Sequence, residues 1–425
     1  MRMNKKKEIE PSLRFPKYEF GWRIGDFEFE ILQTNSFSRA EMNDHKGNVK
    51  NIHYGDILTK YNDILKDTFA VPFINENIDL SKIKKECYLQ KGDIVIADTA
   101  EDLTAGKAVE IQNVDFPILA GQHTFLCRPK VKFASGYMGY YLNSPSYHNK
   151  LVPLLSGTKV YSISKANIKN TFVLYPESYD EQQKIADCLS SIDELIDAEN
   201  RKLEALKKYK TGLMQRLFPA QGNKLPQWRF PEFQQHGQWK VKSIEKSCHM
   251  FSGGTPNTSK KEYYGGSIPF IRSAEIDRSI TELFITEEGL KDSSAKMVKK
   301  GDILIALYGA NSGEVALSQI DGAINQAILC LRHETNNVFV YHYLTHIKKW
   351  IISKYIQGGQ GNLSGQIIKA VNLYFPQPEE QQKIADCLSE ADSLIITQSN
   401  KVKALKTHKK GLMQGMFPSL EEANI

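Results

Sequence analysis

A 39-residue stretch, Glu181–Pro219 (EQQKIADCLSSIDELIDAENRKLEALKKYKTGLMQRLFP), recurs without a gap at Glu380–Pro418 as EQQKIADCLSEADSLIITQSNKVKALKTHKKGLMQGMFP. The copies are identical at 24 of 39 positions and offset by 199 residues (380 minus 181). A self-match of that length constrains the fold more than any other feature. Its period is far too long for a solenoid and instead marks two domain-sized halves, each ending in the same element. The 425 residues suit two domains with connecting elements.

The repeated element reads as a long helix. Stepping alternately four and three residues gives Ile185, Leu189, Ile192, Ile196, Glu199, Leu203, Leu206, Lys210, Leu213 and Leu217. The second copy gives Ile384, Leu388, Ala391, Ile395, Gln398, Val402, Leu405, Lys409, Leu412 and Met416. In each set eight of ten positions are apolar, and the polar exceptions fall in the same fifth and eighth slots. Two apolar positions per seven is a coiled-coil seam, narrower than the stripe of a helix lying on a sheet. Ser178-Tyr-Asp-Glu181 predicts a capping box, Pro378 with Glu379 and Glu380 a first helical turn, and Phe-Pro a stop. Each helix is expected to span roughly 35 residues, about 55 Å. The simplest burial for two like seams is against each other, as an antiparallel pair related by a pseudo-twofold axis.

This divides the chain into a globule over residues 1–176, a helix over 177–219, a second globule over 220–376 and a second helix over 377–425. The globules echo each other only at anchor points. Leu13-Arg-Phe-Pro16 and Trp228-Arg-Phe-Pro231 open them as extended segments. Gly92-Asp-Ile-Val-Ile-Ala97 and Gly301-Asp-Ile-Leu-Ile-Ala306 read as a turn and a buried strand. Strand-like runs follow at Lys107–Ile111 and Glu314–Leu317, then at His123–Cys127 and Gln326–Leu331. Helical patterns come next, at Tyr137–Leu142 and Phe339–Ile352. The expected class is α+β: two similar mixed α/β domains carrying different surfaces.

No catalytic motif is present. Tyr308-Gly-Ala-Asn-Ser-Gly-Glu314 lacks the lysine of a phosphate loop, no Gly-x-Gly-x-x-Gly follows a strand, and no nucleophile elbow occurs. His342 and His346 have the spacing of metal ligands on a helix but no third ligand nearby. The six cysteines form no CxxC pair, consistent with reduced thiols in a cytoplasmic protein. No apolar run approaches the roughly 20 residues of a membrane span. The net charge of +6 permits a polyanionic partner without demanding one. Loops rich in Gly, Ser, Thr, Asn, Lys and Tyr, such as Phe251–Gly266, suit close approach to phosphates and hydrogen bonding to bases, although turns favour the same residues.

The paired EQQKIADCLS…LKxxKxGLMQxxFP helices, the Arg-Phe-Pro openings, Ser252-Gly-Gly-Thr-Pro256, Tyr263-Tyr-Gly-Gly-Ser-Ile-Pro269 and the GDI[VL]IA strands together resemble the DNA-specificity (S) subunits of type I restriction–modification systems. The resemblance implies that each globule is a target-recognition domain reading one half of a bipartite, asymmetric site on double-stranded DNA. It implies that the helices are spacers docking two methyltransferase subunits, which use S-adenosylmethionine to methylate adenine. Separate restriction subunits would use ATP and Mg²⁺, and this chain would be non-catalytic and bind no cofactor or metal. The positions matching the family's contact loops are Ser36, Ser38, Arg39, Thr158, Lys159 and Tyr161 in the first domain. In the second they are Thr255, Asn257, Lys260, Lys261, Tyr264, Arg272 and Gln360. A stand-alone two-headed DNA-binding regulator and a single-chain restriction–modification fusion are the competing readings, the latter disfavoured by the missing motifs.

Overall fold

A computed structural model describes residues 10–19, 21–309, 311–355 and 362–418. The chain forms two compact units, Met1–Glu199 together with Lys401–Ile425, and Asn200–Asn400.

In the first unit a five-stranded sheet runs in the order Phe29–Leu32, Thr124–Pro129, Ile94–Ala97, Ala108–Ile111, Ile64–Leu65. All four residues of Ile94–Ala97 are buried, because the strand is covered on both faces. Ile94 and Ile96 point into one core, with Phe29, Cys127 and the helix Tyr137–Asn143; Val95 and Ala97 point into another, with Leu126, Ile52 and Ile118. This second core is closed by a smaller sheet, in which Ile118–Ala120 pairs parallel with Lys50–Ile52.

The second unit repeats the plan. Its sheet runs Cys248–Ser252, Ile328–His333, Ile303–Ala306, Val315–Leu317, and Gly322–Ile324 pairs parallel with the end of Tyr264–Ile271. Ile303 and Ile305 face one core, Leu304 and Ala306 the other. The four central strands of the larger sheet therefore follow one order in both units, and the first unit adds Ile64–Leu65 at its edge. Two-stranded ribbons, Trp22–Asp26 with Phe172–Pro176 and Lys240–Ser243 with Asn372–Phe375, lead into the long helices.

Those helices are Tyr179–Leu217 and Pro378–Met416, 39 residues each. At the first, Ser178 Oγ accepts from the Glu181 backbone N–H at 3.3 Å, but the Glu181 carboxylate does not reach back to complete a capping box. It is gripped instead by Arg14, at 2.8 and 3.0 Å, and Glu380 is gripped likewise by Arg229, at 2.8 and 2.6 Å. The Arg-Phe-Pro phrases thus supply guanidinium forks to the start of each helix, a role their extended pattern did not reveal. Glu181 and Glu380 are both 1% exposed, so each charge depends on its arginine for solvation.

The expected seam is the inward face. Ile185, Leu189, Ile196, Leu203, Ile384, Leu388 and Val402 are buried, while Ile192, Leu206, Leu213, Ile395, Leu405 and Leu412 are half-buried. Each helix start also joins a globular core, where the stripe widens beyond two per seven. Ile185, Ala186 and Leu189 share the first core with Met413, Met416 and Phe417; Ile384, Ala385 and Leu388 share that of the second unit with Met214, Leu217 and Phe218. The Phe417 ring lies 5.7 and 5.6 Å from Tyr137 and Tyr141, and the Phe218 ring 5.5 and 4.5 Å from Phe339 and Tyr343. Phe-Pro is therefore a plug as well as a stop.

The polar slot at Lys210 and Lys409 is an ion pair in both copies. Lys409 bonds Asp193 at 2.5 Å and Asp63 at 2.6 Å, and Lys210 bonds Asp392 at 2.5 Å. Within the first unit, Asp193 with Lys409 and Glu199 with Lys401 show the helices running antiparallel, since one number rises as the other falls. The units differ at one neighbour of this clasp. Tyr140 donates its hydroxyl to Asp193 at 2.9 Å, whereas the second unit has His342, buried, with both ring nitrogens unpartnered and Nδ1 3.9 Å from Asp392.

Two predictions follow from these buried charges. Arg229→Ala strands the Glu380 carboxylate and should destabilise the second unit by about 3–5 kcal/mol in urea denaturation. Tryptophan fluorescence reads this unit selectively, since Trp228, Trp239 and Trp350 lie in it and only Trp22 in the other. Burial, and then the Lys210 charge, push His342 down to about 3. The unfolded imidazole takes up a proton near pH 6.5 that the folded one refuses. Stability is therefore full above about pH 6.5 and lost as pH falls toward 3. His342→Tyr, which supplies the hydroxyl found at Tyr140, should flatten the urea midpoint between pH 7 and 5.

Candidate nucleic-acid interface

In the first unit the loop carrying Ser36, Ser38 and Arg39 follows the strand Phe29–Leu32 and lies along the smaller sheet. Asn35 N donates to Ala120 O at 3.0 Å, and its side-chain amide donates to Asn51 Oδ1 at 2.8 Å. Ser38, through both N–H and hydroxyl, donates to Glu41, and these bonds hold the Glu41 carboxyl below its usual range. Arg39 bonds Asp44 at 2.9 Å and stands 3.6 Å from the buried Asp56 carboxylate, an ionic contact too long for a hydrogen bond.

The loop with Thr158, Lys159 and Tyr161 joins the same edge. Tyr161 and Ser162 pair with Ala100 and Thr99, Ile163 N donates to Asp98 O, and Asp98 N donates to His123 O. His123 has φ 57°, a left-handed backbone for a non-glycine residue, which costs of order 1 kcal/mol and gathers at functional sites. Its ring meets Tyr54 edge-on at 5.3 Å, and Tyr54 meets His53 at 4.5 Å. The structure so brings both predicted loops to one edge and adds Asn51, His53, Tyr54, Gln122 and His123, which the sequence reading missed. These residues lie 12 to 36 positions from the nearest predicted one in the chain, and the parallel pairing of two short strands helps to assemble them.

In the second unit Thr255 is exposed, and its hydroxyl donates to Gln326 Oε1 at 2.7 Å. Its loop lies flush on the smaller sheet: a Cβ at Gly253 would stand 1.8 Å from Ile324 O. Tyr264 OH ties the loop down through Pro256 O at 2.7 Å. Asn257 is exposed and spends its side-chain oxygen on the Ser259 N–H at 3.0 Å. Lys260 donates to Tyr263 OH at 2.6 Å, which raises the lysine above its ordinary range and keeps it charged; Lys261 is exposed. Arg272 bonds Glu275 through Nε at 3.0 Å and Nη2 at 3.2 Å, and Nη2 also bonds Glu282, so this guanidinium braces the turn. Burial opposes the Glu275 charge, but the bonds from Arg272 and two backbone N–H groups win, and its carboxyl is held low. Gln360 lies outside the described residues.

Among the described residues no His, Cys, Asp or Glu cluster is placed to hold a metal, and no helix is long and apolar enough to cross a membrane. The interface offers hydroxyls, amides, aromatic rings and lysines on two similar platforms.

The family model described as "Type I restriction modification DNA specificity domain" matches residues 24–208 and again 236–407. The chain belongs to this family. It is 32% identical over 194 residues to the type I restriction enzyme MjaIX specificity subunit of Methanocaldococcus jannaschii, a match covering 43% of this chain and 44% of that protein. It is 24% identical over 332 residues to the putative MjaX specificity subunit of the same organism, covering 76% of each. The crystal structure of a type I S subunit from M. genitalium shares its fold, with TM-score 0.58 at 15% identity over 97% of this chain and 100% of that one.

Because the Gly253 site has no room, Gly253→Ala should displace the Thr255 loop and lower the melting temperature of the second unit by several degrees, about 1–3 kcal/mol. Gly237→Ala, where a Cβ meets nothing within 4 Å, serves as the silent control in the same melting experiment.

Proposed function

We propose that the chain is the DNA-recognition subunit of a type I restriction–modification complex, each unit reading one half of a bipartite site on double-stranded DNA. The observation that carries this is the pair of units with the same four-strand order in the larger sheet and unlike loops: Asn35-Ser-Phe-Ser-Arg39 stands in one where Gly254-Thr-Pro-Asn-Thr258 stands in the other. Two copies of one platform suit two stretches of the same polymer, and different loops suit different sequences. The hydroxyls, amides and lysines at the edge are the groups that bind phosphates and base edges. The long helices set the spacing between the half-sites and dock two methyltransferase subunits. Those subunits methylate adenine using S-adenosylmethionine, and restriction subunits using ATP and Mg²⁺ cut unmodified DNA. This chain supplies no catalytic group and binds no cofactor itself, and the assembly works in the cytoplasm.

Co-expression with its methyltransferase partners in a host lacking adenine methylation should produce a split motif in the methylation map. Adding seven residues to both long helices should lengthen the gap and leave both half-sequences intact; an unchanged gap would refute the spacer role. Lys260→Ala and Lys261→Ala should each weaken duplex binding evenly across sequences and reduce the slope of log affinity against log salt by about 1. A chain that binds its split site tightly without partners would favour the stand-alone regulator instead.

A further inference from the structure

We infer that Gln326 in the second unit and Gln122 in the first are base readers, each setting its side-chain amide against the N6/N7 edge of an adenine at equivalent positions of the two half-sites. The inference rests on the DNA-recognition reading above and concerns two residues absent from the sequence-derived contacts.

The two glutamines are structural equivalents. Gln326 lies between Gly322–Ile324 and Ile328–His333, and Gln122 lies between Ile118–Ala120 and Thr124–Pro129. Each of the first strands pairs parallel with its neighbour, and each turn closes on a matching bond: Leu307 N to Ala327 O at 2.8 Å, and Asp98 N to His123 O at 3.1 Å. The flanking residues differ, Asn325 and Ala327 against Gly121 and His123, and the facing loop offers Thr255 in one unit and Ser36 in the other. The glutamine is the constant in a changed setting. A glutamine kept at equivalent positions while its surroundings change suits the same kind of contact in both half-sites, and the base edge that a glutamine amide matches with two bonds is that of adenine.

Gln326 is also prepared for the task. An exposed glutamine ordinarily loses much rotamer freedom on binding. Here Oε1 is already fixed by the Thr255 hydroxyl at 2.7 Å, and the Thr255 loop is immobilised by the Gly253–Ile324 contact and the Tyr264 bond to Pro256 O. The oxygen keeps its second lone pair and the nitrogen both hydrogens, so a donor and an acceptor stand side by side. That pair matches the N7 acceptor and N6 donor of adenine, which a phosphate cannot satisfy. In the first unit the turn that carries Gln122 includes the left-handed residue His123.

The test uses the complex with its methyltransferase partners. A parental methylation map without a split motif would overturn the DNA-recognition reading itself. With the motif in hand, Gln326→Ala should lower discrimination at one A·T pair of one half-site by about 10- to 100-fold and leave the other half unchanged. Gln122→Ala should do the same in the opposite half. Thr255→Val, which frees the amide without removing it, should relax the same position as Gln326→Ala by a smaller factor. Replacing that adenine with 7-deazaadenine should weaken binding by the parental complex about 10-fold and leave the Gln326→Ala complex indifferent. An unrelaxed motif in the variants, even at uniformly lower methylation, or equal sensitivity of parent and variant to 7-deazaadenine, would overturn the inference. Should Gln326→Ala abolish methylation, the isosteric Gln326→Met decides by the same two criteria.

Discussion

Everything in this chain depends on burying the tails of two helices. Phe218 and Phe417 are fully buried in aromatic cores, Phe417 between Tyr137 and Tyr141, and Phe218 against Phe339 and Tyr343. Each such ring is worth about 2–3 kcal/mol of burial. Neither globule builds that core alone: each takes the start of one long helix and the end of the other. The helices are therefore structural members of both units, and a change in the seam is felt in the sheets that carry the loops.

Charge is used differently from apolar surface. Arg14 with Glu181 and Arg229 with Glu380 add little net stability, because desolvating two ions offsets most of their attraction. What they add is position, since a guanidinium fork fits a carboxylate in few geometries. The Asp193–Lys409–Asp63 clasp does the same in the first unit, joining both helices to a globular loop. In the second unit Lys210 keeps Asp392, but the third partner is the unsatisfied His342. That imidazole makes the stability of the second unit fall in acid.

Much of this was legible in the sequence, and for a physical reason. The helices and the Ile94–Ala97 and Ile303–Ala306 strands announce themselves because burial imposes a local period. The predicted seam residues are all buried or half-buried, and the matching strands of two globules with little common sequence showed in a few shared phrases. Partnerships across the chain have no local period. Nothing around Arg14 points to Glu181, and nothing around Thr255 points to Gln326, 71 positions away. The acidic partners of Arg272 were hidden for the same reason, being visible only once the turn is built. The widened ends of the seam at Ala186, Met214, Ala385 and Met413 follow from what the globules need there.

The division of the chain has a consequence for its synthesis. The second unit is one continuous span, Asn200–Asn400, while the first unit draws its last core residues from beyond Lys401. Translation therefore exposes the first globule to solvent with an empty slot between Tyr137 and Tyr141 for the time needed to make over two hundred further residues. The domain made first is the domain finished last. A ribosome that stalls before Phe417 releases a product with one sound globule and one incomplete.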